Sequence, residues 1–179
     1  QAAAPAEWRF EPAAAGKPRV VSPASHLSFS VSHSGAWLAC AVCRDEAVGV
    51  DVEVPRPADY GRLARRFFTA AEYAALLAAE GTGQRDLFFD LWVLKEAALK
   101  REGSGLAGGL DEYEFSLDAG CISCRGDRRA GEYHLWRLQG GAHLALCTSG
   151  GAAVQLFRGL PPLMEGALEA PLRGCSKCP

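Results

Sequence analysis

Two carboxylates, Asp51 and Glu53, stand two residues apart in the run "AVGVDVEV" (47–54). A third, Glu96, lies in "LWVLKEAALK" (91–100), with Lys95 beside it and Lys100 four residues on. On a strand, residues i and i+2 project from one face, so Asp51 and Glu53 share a side. Like charges so close repel one another, and facing a core they would be costly. A hard divalent cation removes that cost. Mg2+ takes oxygen ligands, keeps several waters, and commonly uses one or two carboxylates with substrate phosphates. On a helix, Glu96 and Lys100 share a face with Trp92, and Glu before Lys is the favourable order. Two readings of this helix stand. One is an ion pair beside a packed Trp; the other is a carboxylate and an ammonium presented together to a ligand. Likewise, Asp51 and Glu53 either face solvent or join Glu96 in an oxygen-rich metal site.

The elements that must position these groups are legible as patterns. "HLSFSVSH" (26–33) alternates as a half-buried strand does, Ser34-Gly35 makes a turn, and "AWLACAVC" (36–43) is a second strand. With "AVGVDVEV" these predict an antiparallel meander, because the connections are too short for a crossover helix. "RLARRFF" predicts a short basic helix. Thr69 and Glu72 form a capping box that opens a helix to about Ala79. A longer helix is predicted from about Arg85 to Arg101, ending at Gly103. "EYEFSL", "EYHLWRL", "AHLALCT" and "AAVQLFR" read as short strands, and residues 161–179 as a poorly ordered tail. Residues 1–24 are rich in Ala and Pro and show little periodicity.

The chain has 179 residues, 49% of them hydrophobic, which suits one globular unit or two small lobes sharing a core. A net charge of −2 gives no ground for bulk nucleic-acid binding. No apolar run reaches the roughly 18 residues of a membrane span. The N-terminus lacks a charged region followed by an apolar one, so cytoplasmic residence is the expectation. Six of seven cysteines fall in C-x-x-C pairs, Cys40/Cys43, Cys121/Cys124 and Cys175/Cys178, with Cys147 alone. Cys40 and Cys43 lie on a predicted strand and point to opposite faces, so reduced, packed thiols are the simpler reading than zinc.

Taken in order, "GKP" (16–18), "FSVSHSG" (29–35), "VGVDVE" (48–53), "RRFFTAAEY" (65–73), "LWVLKEAALK" and "EGSGL" (102–106) resemble the 4′-phosphopantetheinyl transferases of the larger, surfactin-synthetase-activating type. That family's signature is G-[VI]-D-x-E followed by W-x-x-K-E-[AS]-x-x-K, and both halves are present. The resemblance runs from about Trp8 to about Thr148.

The resemblance implies an α+β fold of two similar lobes, each a short antiparallel sheet with packed helices. Residues 1–54 would form the first lobe, 55–160 the second, and 161–179 a tail. It implies Mg2+ held by Asp51, Glu53 and Glu96 on the pyrophosphate of coenzyme A, which is the co-substrate. It implies Glu96 and Lys100 as the catalytic pair. Coenzyme A would be contacted through Lys17, Ser32, His33, Lys95 and Lys100, with a scaffold role as the alternative for Lys95. The partner implied is an apo acyl or peptidyl carrier protein whose serine receives the phosphopantetheine arm. Arg62, Arg65 and Arg66 are candidates to meet its acidic surface, or a solvated helix face. Relatives carry a further helix and strands ahead of the "GKP" segment, so the first lobe looks shortened. The family is monomeric, but a shortened lobe would leave apolar faces open to self-association. Two further readings use the same residues: a non-catalytic binder of coenzyme A or carrier protein, and another Mg-dependent phosphoryl-transfer enzyme.

Overall fold

The computed structural model describes residues 3–13, 16–105, 109–118, 120–125, 131–151, 153–159 and 173–174. Strands β1 (Arg9–Pro12) and β2 (Pro18–Ser22) form a hairpin within the Ala- and Pro-rich stretch of little periodicity. Strands β3 (Leu27–Ser34) and β4 (Trp37–Arg44) form a second hairpin, turning at Gly35 with φ +57°, a backbone conformation that suits glycine.

β5 (Gly49–Glu53) departs from the expected meander. Instead of pairing with β4, it pairs antiparallel with β9 (His143–Thr148), matching Asp51 to Ala145 and Glu53 to His143. β9 also pairs with β8 (Glu132–Arg137), and β8 with the short β10 (Arg173–Gly174). The reason is burial on both sides: Gly49, Val50, Asp51 and Val52 are all buried. A strand with no solvent face needs a layer on each side. The β3–β4 hairpin covers one side and a long helix the other.

That helix, α3 (Thr82–Glu102), starts a few residues ahead of the predicted point and stops at Gly103, whose left-handed backbone (φ +74°) closes it. It follows α1 (Tyr60–Phe67) and α2 (Ala70–Ala78), and the Thr69/Glu72 capping box forms as expected. β6 (Glu114–Asp118) pairs with β7 (Cys121–Arg125), a strand that the sequence reading missed. "AAVQLFR" is not a strand: residues 153–159 contribute only a single bridging residue, at Phe157. The tail expectation and Cys175/Cys178 lie outside the described residues, apart from β10. The result is an α+β protein of short antiparallel sheets with helices packed on them.

Two apolar clusters meet at β5. Leu91, Leu94, Ala98 and Leu99 of α3 join Phe68, Leu76, Phe115, Tyr133 and Ala145 in one, with Trp92 packed at its margin. Val50 and Val52 join Trp136, Leu144, Trp37 and Ala39 in the other. Gly49 has a steric reason to be glycine. A Cβ there would lie 2.0 Å from the Ala97 carbonyl oxygen and 2.4 Å from the Arg101 nitrogen. Strand and helix touch backbone to backbone. Among the described residues no helix is long and apolar enough to cross a membrane.

Candidate active site

β5 and α3 bring the candidate residues together. Gly49, Asp51 and Glu53 alternate onto the α3 side of β5, and Val50 and Val52 onto the hairpin side. The Lys100 ammonium lies 2.7 Å from Asp51 Oδ1, so it reaches across to the strand. Glu96, one turn earlier on α3, makes no hydrogen bond or ion pair among the described residues. Of the two readings of this helix, the Glu96–Lys100 ion pair is not the one formed: Lys100 pairs across to the strand instead.

The electrostatics of this cluster are those of crowded anions. Burial raises the Asp51 carboxyl above the usual range, against the opposing pull of Lys100 and Ser32. Burial, then the charge of Asp51, pushes Glu96 up to about 7, with Lys100 opposing. Asp51 Oδ2 is buried and has no hydrogen-bond partner among the described residues. The Glu53 carboxylate holds Ser34 at 2.8 Å and Arg56 at 3.3 Å, both through Oε2. Among the described residues no three His, Cys, Asp or Glu side chains form a ready metal cage. Mg2+ does not require one, because it commonly pairs one or two carboxylates with substrate phosphates. An orphaned carboxylate oxygen beside two further acids fits such an ion.

Ser32 belongs to the cluster: its hydroxyl donates to Asp51 Oδ1 at 2.6 Å. His33 is exposed, and alternation along β3 turns it to the opposite face from Ser32 and Ser34.

Two lysines are held by the protein itself. Lys95, counted among the coenzyme A contacts, is 0% exposed. Its ammonium lies 2.7 Å from Glu72 Oε2 and donates to the Leu110 carbonyl at 2.9 Å and to the Tyr113 carbonyl. It also sits 5.3 Å from the centre of the Phe68 ring. Burial lowers its pKa, with Glu72 opposing. The scaffold alternative is the one its contacts support. Lys17 likewise donates to the carbonyls of Val48 (2.9 Å) and Arg101 (3.3 Å), binding the "GKP" segment to the C-terminal end of α3. Its ammonium is directed at backbone rather than held out for a ligand.

Three features escaped the sequence reading. Ser34 was read as a turn residue. Glu72 is more than a cap, since Oε1 also accepts from the Phe115 amide. A buried pair, Asp90 and His143, links α3 to the sheet at 2.7 Å, and Asp90 also takes the exposed Arg137 at 2.6 Å. Only the serines left a signal: the alternation Ser30, Ser32, Ser34 opposite D-x-E.

The family model for the 4′-phosphopantetheinyl transferase superfamily matches residues 47–147. That span holds β5 and α3, and with them every acid of the cluster. Among similar proteins, 4′-phosphopantetheinyl transferase Sfp of Bacillus subtilis is 39% identical over 110 residues, covering 61% of this chain and 47% of the relative. 4′-Phosphopantetheinyl transferase psf-1 of Bacillus pumilus is 42% identical over 108 residues, covering 60% and 45%. The chain thus spans about half the length of the curated relatives it matches. A looser likeness, with TM-score 0.45 and 16% identity, is to a crystal structure of a holo-(acyl-carrier-protein) synthase from Bacillus anthracis in complex with coenzyme A, covering 57% of this chain and 93% of that one. With the match covering more than half of its residues and carrying the whole acidic cluster, this chain belongs to the 4′-phosphopantetheinyl transferase superfamily.

Proposed function

We propose that this chain transfers the 4′-phosphopantetheine arm of coenzyme A to a serine hydroxyl of an apo acyl or peptidyl carrier protein, with Mg2+ as cofactor. The observation that carries the reading is the gathering of Asp51, Glu96 and Lys100 by β5 and α3 in a chain of this superfamily. Asp51, Glu53 and Glu96 are the residues that would hold Mg2+. When bound, Mg2+ supplies Lewis-acid neutralisation of the pyrophosphate and a template for its oxygens.

The chain's own groups then have distinct tasks. Glu96, half-buried and without a hydrogen-bond partner among the described residues, can accept the proton of the incoming serine hydroxyl. The serine oxygen bonds to the β-phosphorus of coenzyme A. The bond from that phosphorus to the bridging oxygen breaks, and adenosine 3′,5′-bisphosphate leaves. Lys100, one turn from Glu96, places a positive charge where the leaving phosphate gains negative charge.

The test is mass spectrometry of an apo carrier protein incubated with this chain, coenzyme A and Mg2+. The expected result is the mass gain of one phosphopantetheine arm, lost in EDTA and in Asp51→Ala or Glu96→Ala. Full transfer in EDTA or in either variant rejects the site. Cleavage of simple phosphodiesters without carrier modification rejects the substrate.

A further inference from the structure

β3 is inside out. Its apolar residue Val31 is 43% exposed, whereas Ser30, Ser32 and Ser34 are only 4%, 8% and 8% exposed. These serines face β5, although among the described residues β3 and β5 share no backbone ladder: β3 pairs there with β4, and β5 with β9. Hydroxyls take the place of the ladder. Ser30 Oγ accepts from the Val50 amide at 3.1 Å, and Ser34 Oγ accepts from the Val54 amide at 3.0 Å. The donor side of this row is selective. Ser32 donates to Asp51 Oδ1 and Ser34 to Glu53 Oε2, while Ser30 makes no hydrogen bond to a carboxylate among the described residues.

The pattern within each acid is the same. On Asp51, Oδ1 is occupied by Ser32 and Lys100, and Oδ2 is buried without a partner among the described residues. On Glu53, Oε2 is occupied by Ser34 and Arg56, and Oε1 carries no hydrogen bond among the described residues. A carboxylate pinned through one oxygen cannot rotate freely, and its other oxygen is held in one direction.

We propose that Ser32 and Ser34 are positioning residues: each locks one oxygen of a carboxylate and reserves the other for a divalent cation. This rests on reading Asp51 and Glu53 as cation ligands, and it assigns Ser32 to the carboxylate rather than to coenzyme A. Partners that orient metal ligands typically change affinity by about 10- to 100-fold when removed.

Mn2+ serves as the probe, titrated into the chain with saturating coenzyme A, which supplies the phosphate oxygens, and followed by its electron paramagnetic resonance signal against a coenzyme A blank. Ser32→Ala and Ser34→Ala are each expected to weaken Mn2+ binding by about tenfold or more. Ser34→Thr, which keeps the hydroxyl, restores it. Ser30→Ala loses a backbone contact of the same kind but no bond to an acid, and binds as the parent does. Equal losses in Ser30→Ala and Ser34→Ala would reduce the row to architecture and overturn the proposal. So would parent-like binding in both Ser32→Ala and Ser34→Ala. If an alanine variant loses its cooperative melt, Ser34→Thr is compared with Ser34→Cys, a far weaker donor. The proposal requires Thr to bind more tightly than Cys, and equal affinities overturn it. A parent that binds no Mn2+, or binding that survives Asp51→Ala, defeats the carboxylate site itself and the serine row with it.

Discussion

Lys95 and Glu96 leave α3 at adjacent positions and meet opposite fates. The Lys95 side chain is fully buried against Glu72, two carbonyls and an aromatic face, while the Glu96 carboxylate has no partner among the described residues. In the sequence the two lysines of K-E-x-x-x-K look alike, and nothing local separates a ligand from a scaffold. The difference is tertiary: Glu72 comes from another helix, and the carbonyls of Leu110 and Tyr113 come from beyond the α3 terminus. The acids were legible for the converse reason. Their spacing in D-x-E and their place in an apolar run already demand a compensating charge. Lys95→Met is expected to destabilise the fold by about 3–5 kcal/mol, because it strands the buried Glu72 carboxylate. Urea denaturation measures this. Unchanged stability with a raised KM for coenzyme A would return Lys95 to the ligand set.

Among the elements, β5 and α3 set the site by touching through backbone at Gly49. Gly49→Ala would drive a methyl into the Ala97 carbonyl and the Arg101 amide. Because these are backbone atoms, no rotamer change relieves the clash. The expected outcome is a loss of at least 2 kcal/mol, of the order of other overpacked sites, with carrier modification lost in parallel. A thermal melt and the carrier assay check it, and a variant as stable as the parent would contradict the close approach. The pairing of β5 with β9 was not readable, because register with a strand ninety residues on leaves no local mark. β3 misled for a related reason. Its alternation marks two faces without saying which is buried, and here the carboxylates of β5 select the polar one.

α1 carries a different consequence. Arg62, Arg65 and Arg66 are all exposed, and the Arg66 guanidinium lies 5.0 Å over the Phe67 ring. Arg65→Glu with Arg66→Glu is expected to raise the KM for an acidic carrier several-fold at low ionic strength and to flatten the salt dependence. A KM unmoved under those conditions removes α1 from the carrier interface.

For the whole molecule, the inverted β3 leaves an apolar surface. Leu38 is 72% exposed and Val42 62%, on the side of β4 turned from the core, with Val31 beside them and Phe10 on the neighbouring hairpin. Exposed apolar patches promote association. This chain is expected to self-associate as its concentration rises, and Leu38→Lys with Val42→Lys to suppress it. Size-exclusion chromatography with light scattering reports both. An unaltered chain that stays monomeric at high concentration refutes the expectation.

Both edges and both faces of β5 are covered. Backbone bonds to β9 close one edge and serine hydroxyls the other, and an apolar cluster lies on each side. A local opening that exposed Asp51 would have to part both clusters at once. The acids are therefore expected in the last cooperative unit to open, with amide protons of β5 exchanging with solvent only through global unfolding. On heating, the site and the fold are expected to be lost in one transition, checked by whether melts followed at the site and by overall circular dichroism coincide.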